Sequence, residues 1–199
     1  MNKRRMLEWG GVLSGLVLIV FGVVAITMGV NAKSTVTDNL KAEQIYYADA
    51  ATDPTVPKQY SGQLVDSGAK ARAFAKMMRG HTLESTSGKT YSQMGRFQAA
   101  DGKGSDGIGG TDDPKAALID AKTKQPISNS ARNLWVTETA LTTALNVSYM
   151  ADQLASFGVI VGVALLLTGI GLVILALMAF GAARATFKVP EPDALPALA

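Results

Sequence analysis

The sequence predicts a mostly α-helical membrane protein, in which an antiparallel two-helix transmembrane hairpin carries a small, mainly helical extracytoplasmic domain. Two uncharged apolar runs lie near the ends of the 199-residue chain, from Trp9 to Ala32 and from Leu154 to Ala183. Each exceeds the roughly 20 apolar residues that a helix needs to cross a bilayer. Between Ser130 and Gly158 the chain contains neither proline nor glycine. We therefore expect a long final helix that is continuous with the second span.

Basic residues on the outer flanks of the two runs predict the orientation. Lys3, Arg4 and Arg5 precede the first run, and Arg184 and Lys188 follow the second. Because positive charge marks cytoplasmic flanks, both termini are expected in the cytoplasm of a plasma membrane that the chain crosses twice. The predicted segments are a cytoplasmic N-terminus (1–8), a first transmembrane helix (9–30), an extracytoplasmic domain (31–153), a second transmembrane helix (154–180) and a disordered cytoplasmic tail (181–199).

A cleaved signal peptide is the alternative interpretation of the first run. Val30-Asn31-Ala32 has the small residues of a cleavage site and follows a basic N-terminal segment. The apolar stretch is longer, however, than the roughly 7 to 15 residues of a signal-peptide core. We therefore expect a retained anchor, with Trp9 in the interfacial belt of the bilayer.

The composition of the middle segment excludes several classes of function. Residues 31–153 contain 14 Lys plus Arg and 13 Asp plus Glu, so no dense basic patch indicates a nucleic-acid partner. The chain has no cysteine, and His81 is its one histidine. Disulfides, thiolate chemistry and zinc sites with two histidines are thus excluded within one chain. We expect no cofactor, no metal and no catalytic residue.

Local patterns predict the secondary structure of the middle segment. The first helix is expected to run from about Arg5 to Asn31, and residues 45–47 have the β-prone composition of a short strand. Ser67 is a candidate N-cap for a helix over residues 68–85, and Gly88 fits the C-terminal cap of that helix.

The stretch from about Ala99 to Ser130 is rich in glycine and charge and lacks apolar periodicity, which predicts a flexible loop. Asp113 followed by Pro114 is a typical helix start, so a short helix is expected over Pro114 to Ala121. Beyond the loop, one uninterrupted helix is expected from about Ala131 to about Phe180.

Small residues recur every seven positions in both apolar runs and predict a helix-packing seam. Helices pack in lipid where small side chains let the two backbones approach. Leu18 and Val173 are expected to face lipid instead. Glycine is also common in membrane helices generally, and the seam could equally face a partner protein. The candidate packing residues are Gly15, Gly22 and Gly29 in the first run and Gly162, Gly169 and Ala176 in the second.

Matching depths in an antiparallel hairpin predict the pairing of these small residues. Gly29 is expected opposite Gly162, Gly22 opposite Gly169, and Gly15 opposite Ala176. Neither run contains an ionisable residue, whereas transport pathways usually require such groups inside the membrane. A transporter or channel formed by a single copy is therefore not expected.

Two motif matches in the loop lack the context that their chemistry needs. Gly102, Gly104 and Gly107 satisfy the G-x-G-x-x-G pattern, but no strand precedes them and no helix follows to bind a dinucleotide. The acidic residues suggest calcium, yet the EF-hand pattern fails because Lys103 occupies a ligand position. A solvated loop is the favoured interpretation over a calcium site at Asp101, Asp106, Asp112 and Asp113.

The remaining candidates point to packing or protein contact. His81 shares a predicted helix face with Phe74 and Met78 and is interpreted as a structural residue. Asn146-Val147-Ser148 matches the glycosylation sequon but lies in the middle of a predicted helix near the membrane. The candidate interface residues on the final helix are Trp135, Leu141, Leu145 and Tyr149, since aromatic side chains are frequent packing or interface anchors.

Two stretches, GHTLESTSGKTYSQM (80–94) and ARNLWVTETALTTALNVSYMADQLASFGVIVG (131–162), resemble a family of small two-span membrane proteins of actinobacteria. The resemblance covers about a third of the chain and implies an extracytoplasmic domain with an H-x-L-E…G-K-T-Y segment and a long final helix. Many members carry the label of an aromatic ring-opening dioxygenase subunit, which the single histidine and absent cysteine contradict. The loop from about 99 to 130 resembles an insertion relative to shorter members.

The function that these observations favour is a non-catalytic accessory or structural subunit of a larger bacterial membrane complex, such as a respiratory or transport assembly. The expected partners are the lipid bilayer and other integral membrane subunits, or a second copy of the chain. The alternative is an extracytoplasmic binding or sensing module anchored by two helices. An enzyme is not expected, because the residues suggest no catalytic group.

Overall fold

The computed structural model describes residues 3–100 and 108–185. In these residues the chain forms three α-helices and two short 3-10 turns, so the mostly helical fold class is confirmed. The helices are α1 (Lys3–Ala42), α2 (Gly68–Ser85) and α3 (Ser130–Ala185). The chain divides into a helix-pair unit, made of Met1–Asn31 and Ala155–Ala199, and a domain unit, made of Ala32–Leu154.

Two of the three helices, α1 and α3, are long enough and apolar enough to cross a membrane. The continuous final helix is confirmed, since α3 runs without interruption over 56 residues. The expected end of α1 near Asn31 was wrong, because α1 continues to Ala42. No proline or glycine follows until Pro54, and Val36 and Leu40, one turn apart, pack into the core of the domain unit.

The core of the domain unit is small and combines aliphatic with aromatic side chains. Tyr47 lies at its centre, with the Phe74 ring edge-on at 5.2 Å and the Tyr60 ring tilted at 5.4 Å between centroids. Such aromatic pairs add to the free energy gained by burying their surface. The buried core residues are Leu40, Tyr47, Val56, Val65, Ala71, Ala75 and Leu145.

Helix α2 begins and ends where the sequence predicts, over Gly68–Ser85. The Ser67 hydroxyl accepts a hydrogen bond from the backbone N–H of Lys70, which confirms the N-cap. At the other end Ser87 has the positive φ of 51° that a left-handed cap requires, and its N–H donates to Glu84 O. Gly88 follows as the second residue of this Schellman motif and donates to Leu83 O at 2.7 Å.

The predicted strand over residues 45–47 was wrong. Tyr46 forms one isolated antiparallel bridge with Leu64, flanked by hydrogen bonds from Tyr47 N–H to Gln63 O and from Val65 N–H to Ile45 O. Pairing stops there because the chain turns at Asp49, whose carboxylate accepts from the N–H of Ala51 and the Ser61 hydroxyl.

The described part of the predicted loop, residues 99–100 and 108–130, is held by backbone bridges. Ala99 forms an antiparallel bridge with Ala117, and Ile119 forms another with Pro126. The short helix expected over Pro114 to Ala121 was wrong: one turn starts, with Ala116 N–H bonded to Asp113 O. The chain then extends into these bridges, because a helix of so few residues cannot offset its nucleation cost.

Candidate functional site

Small residues form the contact between α1 and α3 in the helix-pair unit. Gly15, Gly22 and Gly29 are all buried. A Cβ added at Gly22 would lie 2.7 Å from both Gly162 O and Leu166 N. One at Gly15 would lie 2.7 Å from Gly169 O, and one at Gly29 would lie 2.7 Å from Ala155 O. Backbone meets backbone here, which is possible only without side chains.

The expected pairing of these small residues was wrong by seven positions. Gly15 lies opposite Gly169, Gly22 opposite Gly162 and Gly29 opposite Ala155, while Ala176 lies against Gly11. The physical reason is that a seven-residue repeat matches itself again after a shift of one heptad, so the repeat alone leaves the register open. Ala155, 5% exposed, continues the repeat of α3 by one step that the sequence interpretation left out.

The faces of the two helices outside this contact are apolar. The expectation that Val173 faces lipid was wrong, because its Cγ2 would lie 2.7 Å from a Cβ at Gly15. Gly10 and Gly171, by contrast, have open space where a Cβ would be. Large apolar side chains more than 60% exposed surround the pair: Leu13, Val20, Phe21, Met28, Phe157, Ile160, Leu167, Leu175 and Met178.

Trp135 joins α3 to the segment that follows α2. Its indole is 3% exposed, and its Nε1–H donates to Lys89 O at 2.7 Å, with Thr86 Oγ1 at 3.3 Å. The Thr86 hydroxyl itself donates to Lys89 O at 2.7 Å. This buried tryptophan therefore satisfies its one donor within the fold, as buried indoles usually do.

The four candidate interface residues divide into two groups. Trp135 and Leu145 are buried, at 3% and 5% exposure, so they pack the interior of the domain unit and offer no surface to a partner. Leu141 is 45% exposed. Tyr149 is half-buried beneath Arg72, whose guanidinium carbon lies 4.6 Å from the ring centroid.

Glu138 is the most buried acidic side chain among the described residues, and the sequence interpretation missed it. It is 2% exposed, and its Oε2 lies 3.9 Å from Arg79 Nη1 and 3.3 Å from the Thr139 hydroxyl. The Arg79 guanidinium also lies over the Trp135 ring, at 4.9 Å. Because Glu138 is three residues from Trp135 on α3, one arginine contacts both side chains.

His81 tethers the 53–57 loop to α2. Its Nε2 lies 2.7 Å from Thr55 Oγ1 and 3.3 Å from Asp53 Oδ2. Hydrogen bonds from Thr55 and the charge of His81 hold the pKa of Asp53 below its usual value. A nucleophile, base and orienting acid would need the hydroxyl and the carboxylate on opposite ring nitrogens. Both contact the same nitrogen here, so the cluster fits a structural tether.

The acidic residues of the loop that the structure describes contact basic groups and backbone amides. Asp112 accepts from the Arg96 backbone N–H at 3.1 Å and from Arg96 Nε at 3.3 Å, and these bonds lower the pKa of its carboxyl. Asp113 accepts from the Lys115 N–H at 2.9 Å. Within residues 3–100 and 108–185 no three His, Asp or Glu side chains are grouped to hold a metal. Asp101, Gly102, Gly104, Asp106 and Gly107 lie outside the described residues.

Asn129 organises the loop and starts α3. Its Nδ2 donates to Gly95 O at 3.1 Å and to Ile108 O at 2.9 Å, while its Oδ1 accepts from the Ala131 N–H at 3.1 Å. The side chain is therefore both the N-cap of α3 and a tether for two loop segments. Sequence reasoning placed the helix start near this residue but gave no signal for the two distant carbonyls.

A groove of about 550 Å³ lies between α2 and α3 in the domain unit. The two helices run antiparallel, since Arg72 contacts Tyr149 and Arg79 contacts Trp135. No carboxylate is among the lining residues. These are Ala69, Arg72, Ala73, Ala75, Lys76 and Arg79 from α2 and Thr142 and Asn146 from α3.

Comparison with known proteins identifies no relative of this chain. No protein-family model matches the chain, and no curated protein or solved structure is significantly similar to it. The function is therefore argued from the residues and their contacts alone.

Proposed function

We propose that the protein is a non-catalytic accessory or structural subunit of a larger bacterial membrane complex. The observation that supports this proposal is that the contact and the outer faces of the helix-pair unit have different side chains. Gly15, Gly22 and Gly29 of α1 meet Gly169, Gly162 and Ala155 of α3 in the contact between the helices, and large apolar side chains lie on the outer surface. Such a surface fits lipid and the apolar faces of other membrane subunits.

The proposed topology places both termini in the cytoplasm of a plasma membrane and residues 31–153 outside it. Its support is the basic flanks of the apolar runs. Because the chain has no cysteine, Lys122→Cys and Asp193→Cys each introduce a single thiol. In intact cells an impermeant thiol reagent should label Lys122→Cys and spare Asp193→Cys. Labelling of Asp193→Cys alone would invert the topology.

Photo-cross-linking tests the docking role directly. A photoreactive amino acid at Phe21 or Leu167, which are 63% and 64% exposed, should give a discrete adduct with one membrane protein in cells. The same group at Ile26 is a control, because the large side chain already present at that position faces α3. An adduct of doubled mass would identify a second copy as the partner. Lipid adducts alone at both outward positions would refute docking through the helix pair.

Membership of the actinobacterial two-span family is a further proposal, supported by a contact between the two stretches that carry the resemblance. Lys89, in the first stretch, accepts the indole hydrogen bond of Trp135, in the second, across 46 residues. The two stretches thus form one structural feature. No catalytic role is proposed for His81, so His81→Ala should lower stability without removing any turnover.

A binding or sensing module is the second candidate function. The groove between α2 and α3 is the specific observation that favours it, because the groove combines three cationic side chains with neutral donors.

A further inference from the structure

The groove between α2 and α3 concentrates positive charge on one side. Arg72, Lys76 and Arg79 lie at spacings of four and three residues, which places them on one face of α2. Neither Arg72 nor Lys76 forms an ion pair with a carboxylate in the described part of the chain. Arg79 lies 3.9 Å from the buried Glu138 carboxylate, so the positive charge without a carboxylate partner is that of Arg72 and Lys76.

Aromatic rings hold the two arginines at the ends of the groove. Arg72 lies over Tyr149 and Arg79 over Trp135, at 4.6 and 4.9 Å from the ring centroids. These rings are 14 residues apart on α3, about 21 Å along its axis, whereas the arginines are separated by about 10 Å along α2. The guanidinium groups are thus drawn apart, to opposite ends of the groove. The cation–π contact of Arg72 leaves its N–H donors available, whereas Arg79 Nη1 also lies 3.9 Å from Glu138 Oε2.

Small and neutral residues complete the space between the arginines. Ala69 and Ala73 leave room on α2, and Lys76 lies between the two arginines in the sequence and also lines the groove. From α3, Thr142 and Asn146 contribute a hydroxyl and an amide. Every charged group that lines the groove is a donor, and the neutral amide can also donate.

We propose that this groove binds a phosphate group, as inorganic phosphate, a soluble phosphate ester or a lipid headgroup. The planar guanidinium fork of Arg72 suits the tetrahedral oxygens of phosphate, and Lys76, one turn away on the same face of α2, supplies a compact second charge. A monocarboxylate has one charge and two oxygens, whereas five polar side chains are among the residues that line the groove. Phosphate, with more oxygens and up to two negative charges, uses the site more fully.

Trp135 provides a spectroscopic reporter for the groove. The chain has two tryptophans, so Trp9→Phe leaves Trp135, beneath Arg79, as the only indole. The full chain in neutral detergent is titrated with potassium phosphate, and with potassium acetate at equal ionic strength. Isothermal titration calorimetry provides a second measurement. We expect a saturable response to phosphate and none to acetate.

Variants at Lys76 distinguish phosphate binding in the groove from attraction of phosphate by positive charge elsewhere on the surface. Lys76→Gln should weaken phosphate binding about tenfold or more, the effect of losing one charge-assisted hydrogen bond, and Lys76→Arg should retain it. Lys115→Gln removes an exposed lysine outside the groove and should leave binding unchanged. Since Lys76 is exposed and outside the core, its replacement should not alter the thermal unfolding of the chain.

Nanodiscs distinguish the two sources of the phosphate group. If a headgroup is the ligand, discs containing phosphatidylglycerol should shift Trp135 emission without added phosphate, and Lys76→Gln should remove this shift. If the ligand is soluble, added phosphate should bind equally in phosphatidylcholine and phosphatidylglycerol discs. No saturable response in either arm, or equal binding by Lys76→Gln and the parent, would overturn the proposal. The inference does not depend on the accessory role, which the cross-linking experiment tests separately.

Discussion

The two units of this chain are packed by opposite means. In the helix-pair unit the closest contacts are made where side chains are absent, with Gly22 against the backbone of Gly162 and Leu166. The domain unit also has close approaches at Gly68 and Gly95, but its interior is joined by large side chains with polar ends, with Trp135 bonded to Lys89 O and Tyr47 bonded to Lys70 O. Two helices, α1 and α3, contribute to both kinds of packing.

The difference fits the surroundings that we propose for each unit. In lipid, which we propose for the helix pair, burying a leucine against another helix gains little, so association depends on close backbone approach and dispersion contacts. In water, the burial of aromatic surface is the main source of stability, provided that each buried donor keeps a partner. Substitutions that change side-chain size should therefore act in opposite directions in the two units.

The largest expected effect is the loss of a large side chain from the domain unit. Trp135→Ala should destabilise the unit by about 3–5 kcal/mol, as for other buried aromatic truncations. Hydrogen exchange of the α2 amides in detergent should report the loss. Leu134→Ala removes a neighbouring side chain that is 43% exposed and should have little effect. Equal exchange in the two variants would show that the indole does not hold α3 to the 86–89 segment.

The gain of a side chain should be the damaging change in the helix-pair unit. Gly22→Leu should cost about 3 kcal/mol, the upper end of ordinary overpacking, because its Cβ alone would lie 2.7 Å from two backbone atoms. Gly169→Leu should act in the same way. Unfolding by increasing fractions of a denaturing detergent would measure the loss.

Glycines outside the contact are matched controls for this prediction. Gly171→Leu is two residues from Gly169 on the same helix, and a Cβ there meets nothing within 4 Å. It should therefore leave the unfolding curve unchanged. If Gly22→Leu and Gly171→Leu proved equally mild, the close approach of α1 and α3 would be refuted.

Loss of the Asn129 side chain is expected to lower stability by a smaller amount. Asn129→Ala removes a helix cap and two hydrogen bonds to loop carbonyls, at a cost of about 2 kcal/mol. Asn129→Asp keeps the capping oxygen and loses only the two donors, so it should loosen residues 95–97 and 108–111 without fraying α3. Hydrogen exchange of the two regions separates these effects. Asn133→Ala, at an exposed position of the same helix, should change neither.

The long-period features of the fold were predictable from the sequence, because they depend on local pattern. The continuity of α3 into the second apolar run followed from the absence of proline and glycine between Ser130 and Gly158, and the start of α2 followed from Ser67. The register of the glycines was not predictable, since every heptad step offers another small residue. Ala155 shows this, because it pairs with Gly29 where Gly162 was expected.

The sequence indicates which side chains of the site are important, but it does not indicate which residues they contact. Trp135 was singled out as an anchor, but its hydrogen-bond acceptor lies 46 residues away, at Lys89. Asn129 reaches Gly95 and Ile108 over 34 and 21 residues. Nothing in the local sequence around either side chain specifies such partners. The groove likewise arises only when α2 and α3 are brought side by side, although the spacing of its three basic residues is visible in the sequence.

The smallest expected effect at neutral pH concerns Tyr47, whose hydroxyl donates to Lys70 O at 2.7 Å. Tyr47→Phe should cost about 1 kcal/mol there, the worth of one hydrogen bond. Burial, and to a smaller extent the neighbouring Tyr60, raises the pKa of Tyr47 from 10.0 to about 12. The folded state therefore keeps a proton that the unfolded chain releases. This contribution is complete below pH 10 and is lost as the pH rises from 10 through 12.

The stability of the parent should fall more steeply in this range than that of Tyr47→Phe, as measured by urea unfolding of the domain unit within the full chain. Tyr60→Phe keeps the Tyr47 phenol and should retain the steep fall, whereas parallel profiles for the parent and Tyr47→Phe would show that this phenol does not link folding to pH.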